Sequence, residues 1–262
     1  MHTATDLKTR ALRRIGQFAA LLYSLLSYLF FLLTFLYFMG FVGNVGVPKS
    51  IDSGTGLAWP WALVSDILLI SLFALQHSLM ARKSFKDRWR FIVPAPIERA
   101  TYVLVSSAVL ALLCGLWQPI TSVVWKVESP VATGLLVALY WLGWAIVLVA
   151  TFLFSHFELF GIKQALAPLL RPALVNPVFR TPTLYKVVRH PMYLGFLIAF
   201  WATPEMTVGH LVFALTSTLY ILIGTHLEEK DLVTLFGDNY RRYQKNVAML
   251  LPFVRRNSGS ED

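Results

Sequence analysis

One cysteine, Cys114, stands in 262 residues, so no intramolecular disulfide, cysteine zinc cluster or CxxC redox pair can form. It falls within an apolar run and reads as a small core side chain. Charge is scarce as well: Asp, Glu, Lys and Arg make up 14% of the chain, against 56% hydrophobic and 14% aromatic residues. Soluble domains carry about 25% charged residues, which excludes an ordinary soluble globule. Internal repeats, low-complexity linkers and composition breaks are missing too. A single domain over residues 1–250 is therefore expected, with a flexible tail over 251–262 that ends in "RRNSGSED".

What the chain has instead is apolar runs, at residues 14–42, 61–80, 101–117, 134–154, 192–203 and 207–227. Several approach the ~20 residues that cross a bilayer as helix. The predicted fold class is an all-α, polytopic membrane helix bundle of about five to six transmembrane helices with a cytoplasmic C-terminal helix. Pro204 and Glu205 break the last two runs, which read as a hairpin of one short and one full helix. The first run is about twice the length of a signal-peptide core and has no small-residue cleavage site, so it reads as a retained anchor.

Basic residues set the orientation, because short cytoplasmic loops retain Lys and Arg. Of the 23 Lys and Arg, all but Lys49 and Lys126 fall on the N-terminal tail, the loops after the second and fourth runs, and the C-terminal tail. Both termini are thus expected in the cytoplasm of a cell with the protein in its inner membrane. The same asymmetry accounts for the net charge of +9 through topology and anionic membrane lipid, without a nucleic-acid partner.

Polar motifs collect at the inner end. "FALQHSLMAR" brings Gln76 and His77, "PIERATYVL" brings Glu98, Arg99 and Tyr102, and "FSHFELFGIKQ" brings His156, Glu158 and Gln164. "TPTLYKVVRHPMYLG" adds Tyr185, Arg189, His190 and Tyr193 to the start of the hairpin, and "THLEEKDL" adds His226, Glu228 and Glu229 to its end. The outer end carries Asp52, Asp66, Glu128, Glu205 and His210, with no comparable grouping in the sequence. Singly, Arg82, Lys83 and Arg189 read as snorkelling anchors and His77 as an interhelical hydrogen-bonding residue. Together, five segments that deliver His, Glu, Arg, Tyr and Gln to one face mark a functional site, since anchoring needs no carboxylates. Metal ligation is not expected: HxxxH, HExxH and ExxH pairs are missing from that face, and "HFE" sets its polar side chains two apart on a helix. The midsections of the runs carry almost nothing ionisable, which argues against a proton-relay transporter.

"RHPMYLG", followed after one hairpin by "LEEKDLVTLFGDNYRRYQKNV", resembles the C-terminal signature of the integral-membrane methyltransferases that include isoprenylcysteine carboxyl methyltransferase and phosphatidylethanolamine methyltransferase. "FALQHSLMAR", "IERATYVL", "SHFELFGIKQ" and "MTVGHLVFA" extend the likeness over most of the chain, to the methanethiol S-methyltransferases and the neighbouring NnrU-type membrane proteins. The resemblance implies S-adenosyl-L-methionine as methyl donor and methanethiol, a small volatile thiol, as acceptor. It carries cofactor binding onto Tyr185, His190, Pro191, Met192, Tyr193 and Glu228, and more weakly onto Gln164.

The chemistry of that cofactor fits these residue types. Its sulfonium and ammonium call for acidic and aromatic groups, and its carboxylate for a cation or backbone donors. Arg189 and a helix N-terminus opened by Pro191 supply the latter, Tyr185 and Tyr193 hydroxyls and ring faces, and Glu228 and Glu229 acceptors for ribose or ammonium. The lipid-cysteine enzymes carry an arginine shortly before the paired glutamates to meet a substrate carboxylate. Here "IGTHLEE" has none, which favours a neutral small acceptor. A thiol must lose its proton to attack, and His77 is the expected base, with Glu98 or Glu158 orienting it. A non-enzymatic NnrU-type component of a respiratory or haem-linked system, and a methyltransferase for a lipid or larger thiol, are the alternatives. The sequence fixes no oligomeric state.

Overall fold

A computed structural model describes residues 4–170 and 181–252, with side chains from residue 8 onward. The expected tail from 253, together with Arg171, Arg180, Arg255 and Arg256 of the charge argument, lies outside the described residues. The elements are α1 (Ala4–Val42), α2 (Trp59–Ala81), α3 (Lys83–Trp89), α4 (Ala95–Leu116), β1 (Val123–Lys126), α5 (Pro130–Phe154), α6 (His156–Leu159), α7 (Ile162–Leu170), a 3₁₀ turn (Thr183–Lys186), α8 (Pro191–Trp201), β2 (Glu205–Thr207), α9 (Val208–Phe236) and α10 (Asp238–Asn246).

Among the described residues five helices, α1, α2, α4, α5 and α9, are long and apolar enough to cross a membrane. The fold is all-α and polytopic, and the protein is a multi-pass membrane protein. The fifth apolar run, 192–203, forms α8, which at 11 residues falls short of a span. Their limits follow from local chemistry. Pro130 opens α5 behind Ser129, whose hydroxyl accepts from the Ala132 amide, and Pro191 opens α8. Thr207 caps α9 by accepting from the His210 amide at 3.1 Å. At the far end Gly237, at φ 56°, stops α9 and turns the chain into α10.

The chain divides into two compact units. One comprises Met1–Gly40, Ser71–Leu116 and Ser155–Val175. Here α4 packs on α7, and Phe31 of α1 stacks on Phe160 with ring centroids 4.2 Å apart. The Tyr28 hydroxyl meets His156 Nε2 at 2.8 Å, and Tyr23 meets Thr101 at 3.0 Å. Gly161 is required where it stands: φ is +86°, and a Cβ there would sit 2.6 Å from the Ala100 amide nitrogen.

The other unit comprises Phe41–Ile70, Trp117–Phe154 and Asn176–Asp262. Its principal contact is α5 against α8, made through two glycines. A Cβ on Gly143 would lie 2.7 Å from the Gly195 carbonyl oxygen, and one on Gly195 would lie 2.6 Å from that of Gly143. The two backbones therefore touch, as small residues permit between membrane helices. At one end, β1 and β2 pair antiparallel with Lys126 opposite Glu205 and an ion pair of 2.6 Å between them. Neither strand was legible as such in the sequence.

That end also corrects one expectation. Asp52, Thr207 and His210 do group: Asp52 accepts from Asn44 at 2.6 Å and from the Thr207 hydroxyl, and lies 3.9 Å from His210 Nδ1. Burial pushes the Asp52 carboxyl up, but the nearby His210 ring and hydrogen bonds from Thr207 and Asn44 outweigh it and hold the group below its ordinary pKa. Asp52 and Thr207 are 155 positions apart in the sequence, and Thr207 stands where the β1–β2 pairing meets the cap of α9.

Candidate functional site

In the second unit, residues 188–190 run beside 248–249. A parallel bridge joins Val188 to Ala248, Arg189 N–H donates to the Ala248 carbonyl at 2.8 Å, and His190 N–H donates to that of Met249 at 3.1 Å. This register aims the two side chains at the end of α9. Glu229 receives them: Arg189 donates from Nε at 2.6 Å and from Nη2 at 3.1 Å, and His190 Nε2 lies 3.1 Å away. From α10, Gln244 donates to the same carboxylate at 2.9 Å and Tyr240 at 3.5 Å. Arg189 Nη1 is spent on the carbonyls of Gln244 and Val247. Both partners are nearly buried, with side chains 10% and 11% exposed. The pair thus locks α8, α9 and α10 together, and its members are largely consumed by each other.

Glu228 is different. Its side chain is 45% exposed, it accepts from the Tyr193 hydroxyl at 3.0 Å, and His190 Nδ1 stands 3.8 Å away. The rings of His190 and Tyr193 are stacked, 5.6 Å between centroids. Tyr185 belongs to the same neighbourhood. Burial pushes its hydroxyl up to about 12, with the Glu228 charge adding to the effect, so it stays a proton donor at neutral pH. The Tyr243 hydroxyl holds the Tyr185 carbonyl. In α8 the first intrahelical bond runs from Leu194 N–H to the His190 carbonyl, so the Met192 amide precedes it at the positive end of the helix dipole. An exposed carboxylate, the Tyr193 ring and a helix N-terminus therefore stand together, with the His190 ring buried against Tyr193.

The remaining expected residues lie in the first unit. His77 Nε2 meets the Tyr102 hydroxyl at 2.8 Å and Nδ1 meets the Ser106 hydroxyl at 3.3 Å, while Phe73 stacks on the ring. Gln76 donates to Ser106 at 3.3 Å and to Met80 sulfur at 3.0 Å. Glu98 pairs with Arg90 at 3.2 Å, and Glu158 with Lys163 at 2.7 Å and Ser155 at 3.2 Å. The Lys163 hydrogen bond holds the Glu158 carboxyl below the usual range. Among the described residues the partners of His77 are thus Tyr102 and Ser106, where the sequence reading had looked to Glu98 or Glu158. Gln164 donates to the Glu158 carbonyl at 3.0 Å.

Gln244, Tyr240 and Ser106 were missed in the sequence. Tyr240 and Gln244 stand four apart, on one face of a helix, and that spacing beside a buried charge pair was the available signal. Ser106 carried no signal at all.

The family described as NnrU protein matches residues 66–246. A methanethiol S-methyltransferase of Pseudomonas deceptionensis is 70% identical over 100% of both chains. Methanethiol S-methyltransferase 1 of Bradyrhizobium diazoefficiens is 50% identical over 92% of this chain and 85% of its own, and the Mycobacterium tuberculosis methanethiol S-methyltransferase is 45% identical over 92% and 99%. No solved structure matches the chain. With the matched family covering well over half its length, the chain belongs to the NnrU family, among the methanethiol S-methyltransferases.

Proposed function

We propose that this protein transfers a methyl group from S-adenosyl-L-methionine to methanethiol, giving dimethyl sulfide, from the cytoplasmic side of the inner membrane. The observation that carries the acceptor is the 70% identity, end to end, with a protein named for that reaction. The donor set of the Glu228 surface supports the cofactor. When bound, the cofactor supplies an electrophilic methyl group on a sulfonium sulfur.

The residues divide the work by chemistry. Glu228 has acceptor capacity to spare for an ammonium or a ribose diol. The ring face of Tyr193, backed by His190, suits a cation. The Met192 amide, preset by Pro191, suits a carboxylate at the N-terminus of α8. Tyr185 donates as a neutral hydroxyl, and Gln164 is a weaker candidate contact. Arg189 and Glu229 hold the frame on which Glu228, His190 and Tyr193 stand. His77 takes the thiol's proton, leaving the thiolate as nucleophile. Glu98 and Glu158, committed to Arg90 and Lys163, are assigned no step.

The charge asymmetry supports the cytoplasmic side, because the cofactor is made there and the basic loops flank these residues. The deciding experiment incubates purified protein with S-adenosyl-L-methionine and a panel of volatile thiols, with headspace detection of methyl thioethers. Dimethyl sulfide from methanethiol is expected. Methylation of co-purified lipid alone, with no thioether formed, would reverse the acceptor assignment.

A further inference from the structure

A groove of about 610 Å³ opens within the first unit, between α1, the start of α4 and α7. Two side chains tie α1 to its neighbours there. Gln17 Nε2 donates to the Pro168 carbonyl at 3.3 Å, and the Tyr23 hydroxyl meets Thr101 at 3.0 Å. Beside these ties α1 offers only the short Gly16, Ala19 and Ala20, and the facing wall is built from Pro96, Ile97 and Ala165. The charged residue on the groove is Arg13. Among the described residues its guanidinium has no ion-pair or hydrogen-bond partner.

We infer that this groove holds one anionic phospholipid, with the headgroup phosphate on Arg13 and an acyl chain along Gly16, Ala19 and Ala20.

Charge sets the sign of the occupant, because a cation finds no carboxylate among the residues that line the groove, whereas a guanidinium matches phosphate with paired N–H donors. A free anion alone does not suffice. It would sit at Arg13 and leave the alanine, proline and isoleucine walls with nothing apolar against them. Length points the same way: Arg13 and Tyr23, the first and last α1 residues on the groove, stand about 15 Å apart along the helix, and a headgroup layer is about 5–8 Å thick on each side. A groove that begins among headgroups thus runs on into hydrocarbon. The neighbouring side chains mark that depth, since Ile15, Phe18 and Leu22 of α1 are 60% to 64% exposed and Phe91, just before α4, is 92% exposed. Such side chains belong against lipid. Lys8, Arg10 and Arg14 stand at the same end of α1 and draw anionic lipid toward it, but they do not line the groove. A lipid seated there fills the space between α1, α4 and α7, so it should steady the unit.

The test uses purified full-length protein, stripped of lipid in a neutral detergent and given palmitoyl-oleoyl phosphatidylglycerol or the phosphatidylcholine with the same chains. Native mass spectrometry counts the bound lipid, and the thermal unfolding midpoint reports its effect. The wild type should retain one phosphatidylglycerol with a preference of about fivefold or more over phosphatidylcholine, as one arginine at an anionic headgroup supplies, and its midpoint should rise. Arg13→Gln should abolish the preference, whereas Arg14→Gln should keep it. Gly16→Leu fills the groove from a position where an added Cβ meets nothing within 4 Å, so the lipid-free fold should be unharmed while both lipids are lost. Equal loss in Arg13→Gln and Arg14→Gln would reveal diffuse attraction to a basic helix end and overturn the site, as would a wild type without preference. Lipid retained in Gly16→Leu, sn-glycerol 3-phosphate bound as tightly as the lipid, or a lipid-free dimer closing the groove with a second copy would overturn it as well. Should Gly16→Leu prove unstable without lipid, the comparison of Arg13→Gln with Arg14→Gln decides alone. None of these measurements uses methyl transfer, so the outcome is independent of the proposed reaction.

Discussion

Arg189 and Glu229 are 40 residues apart in sequence and joined by two hydrogen bonds at once, Nε to Oε1 at 2.6 Å and Nη2 to Oε2 at 3.1 Å. Removing one member of a buried pair strands the other charge, which costs about 3–5 kcal/mol. Arg189→Ala and Glu229→Ala should therefore each lower the thermal unfolding midpoint in detergent markedly. Glu228→Ala, at an exposed neighbour, should leave it within a degree or two. Equal midpoints for all three would mean that the pair does not hold α8, α9 and α10 together.

Cofactor affinity should sort the same residues the other way. Tyr193→Ala and Glu228→Ala each delete a partner of a polar or charged group, so calorimetry should show S-adenosyl-L-methionine binding weaker by ~1–3 kcal/mol. Binding unaltered in both variants would move the cofactor off this surface.

A third expectation concerns α5 and α8. Because a Cβ on Gly195 meets backbone at 2.6 Å, Gly195→Ala must separate the helices, a strain of about 1–3 kcal/mol or more. Gly224 of α9 has nothing within 4 Å of its added Cβ, and Gly224→Ala should be neutral or slightly stabilising. Comparing detergent unfolding midpoints of the two variants checks both statements.

The apolar runs and the "RHPMY…LEE" pairing made the helices and the Glu228 surface legible in the sequence, because membrane insertion and helix capping are local. What was not legible depends on distant pairing. The β1–β2 ladder joins two short segments with no strand pattern of their own. The partner of His77 was sought among carboxylates because a charged orienter is the familiar arrangement, and the structure supplies a tyrosine and a serine one helix away. Arg189 read as a ligand for the cofactor carboxylate for a similar reason: its charge was visible, and Glu229 and the carbonyls of Gln244 and Val247 that occupy it were not.

Orientation can be tested on cysteines, since Cys114 is buried and silent. Ser84→Cys, in the basic loop, should resist an impermeant thiol reagent in intact cells, and Thr55→Cys should react. The opposite pattern would put the Glu228 surface on the side that lacks the cofactor.

The last expectation is the pH behaviour of His77→Ala. Its kcat should fall by about 10²- to 10⁴-fold at neutral pH and recover as the pH rises, because bulk thiolate replaces the missing base. The window must close below pH 10. Burial pushes the Tyr185 hydroxyl up to about 12, and burial likewise raises those of Tyr240 and Tyr243. A folded pKa above the unfolded value of 10.0 means that the unfolded chain releases its proton first as pH rises. These tyrosines are neutral in both states below that pH, and stability is lost progressively from about 10 upward. Between pH 7 and 9.5 these tyrosines leave stability unchanged, and an unfolding midpoint measured alongside assigns any recovery to the chemistry. A kcat ratio of wild type to His77→Ala that narrows steadily over that range, with an unfolding midpoint that stays flat, supports the base; a ratio that stays constant makes His77 a packing residue.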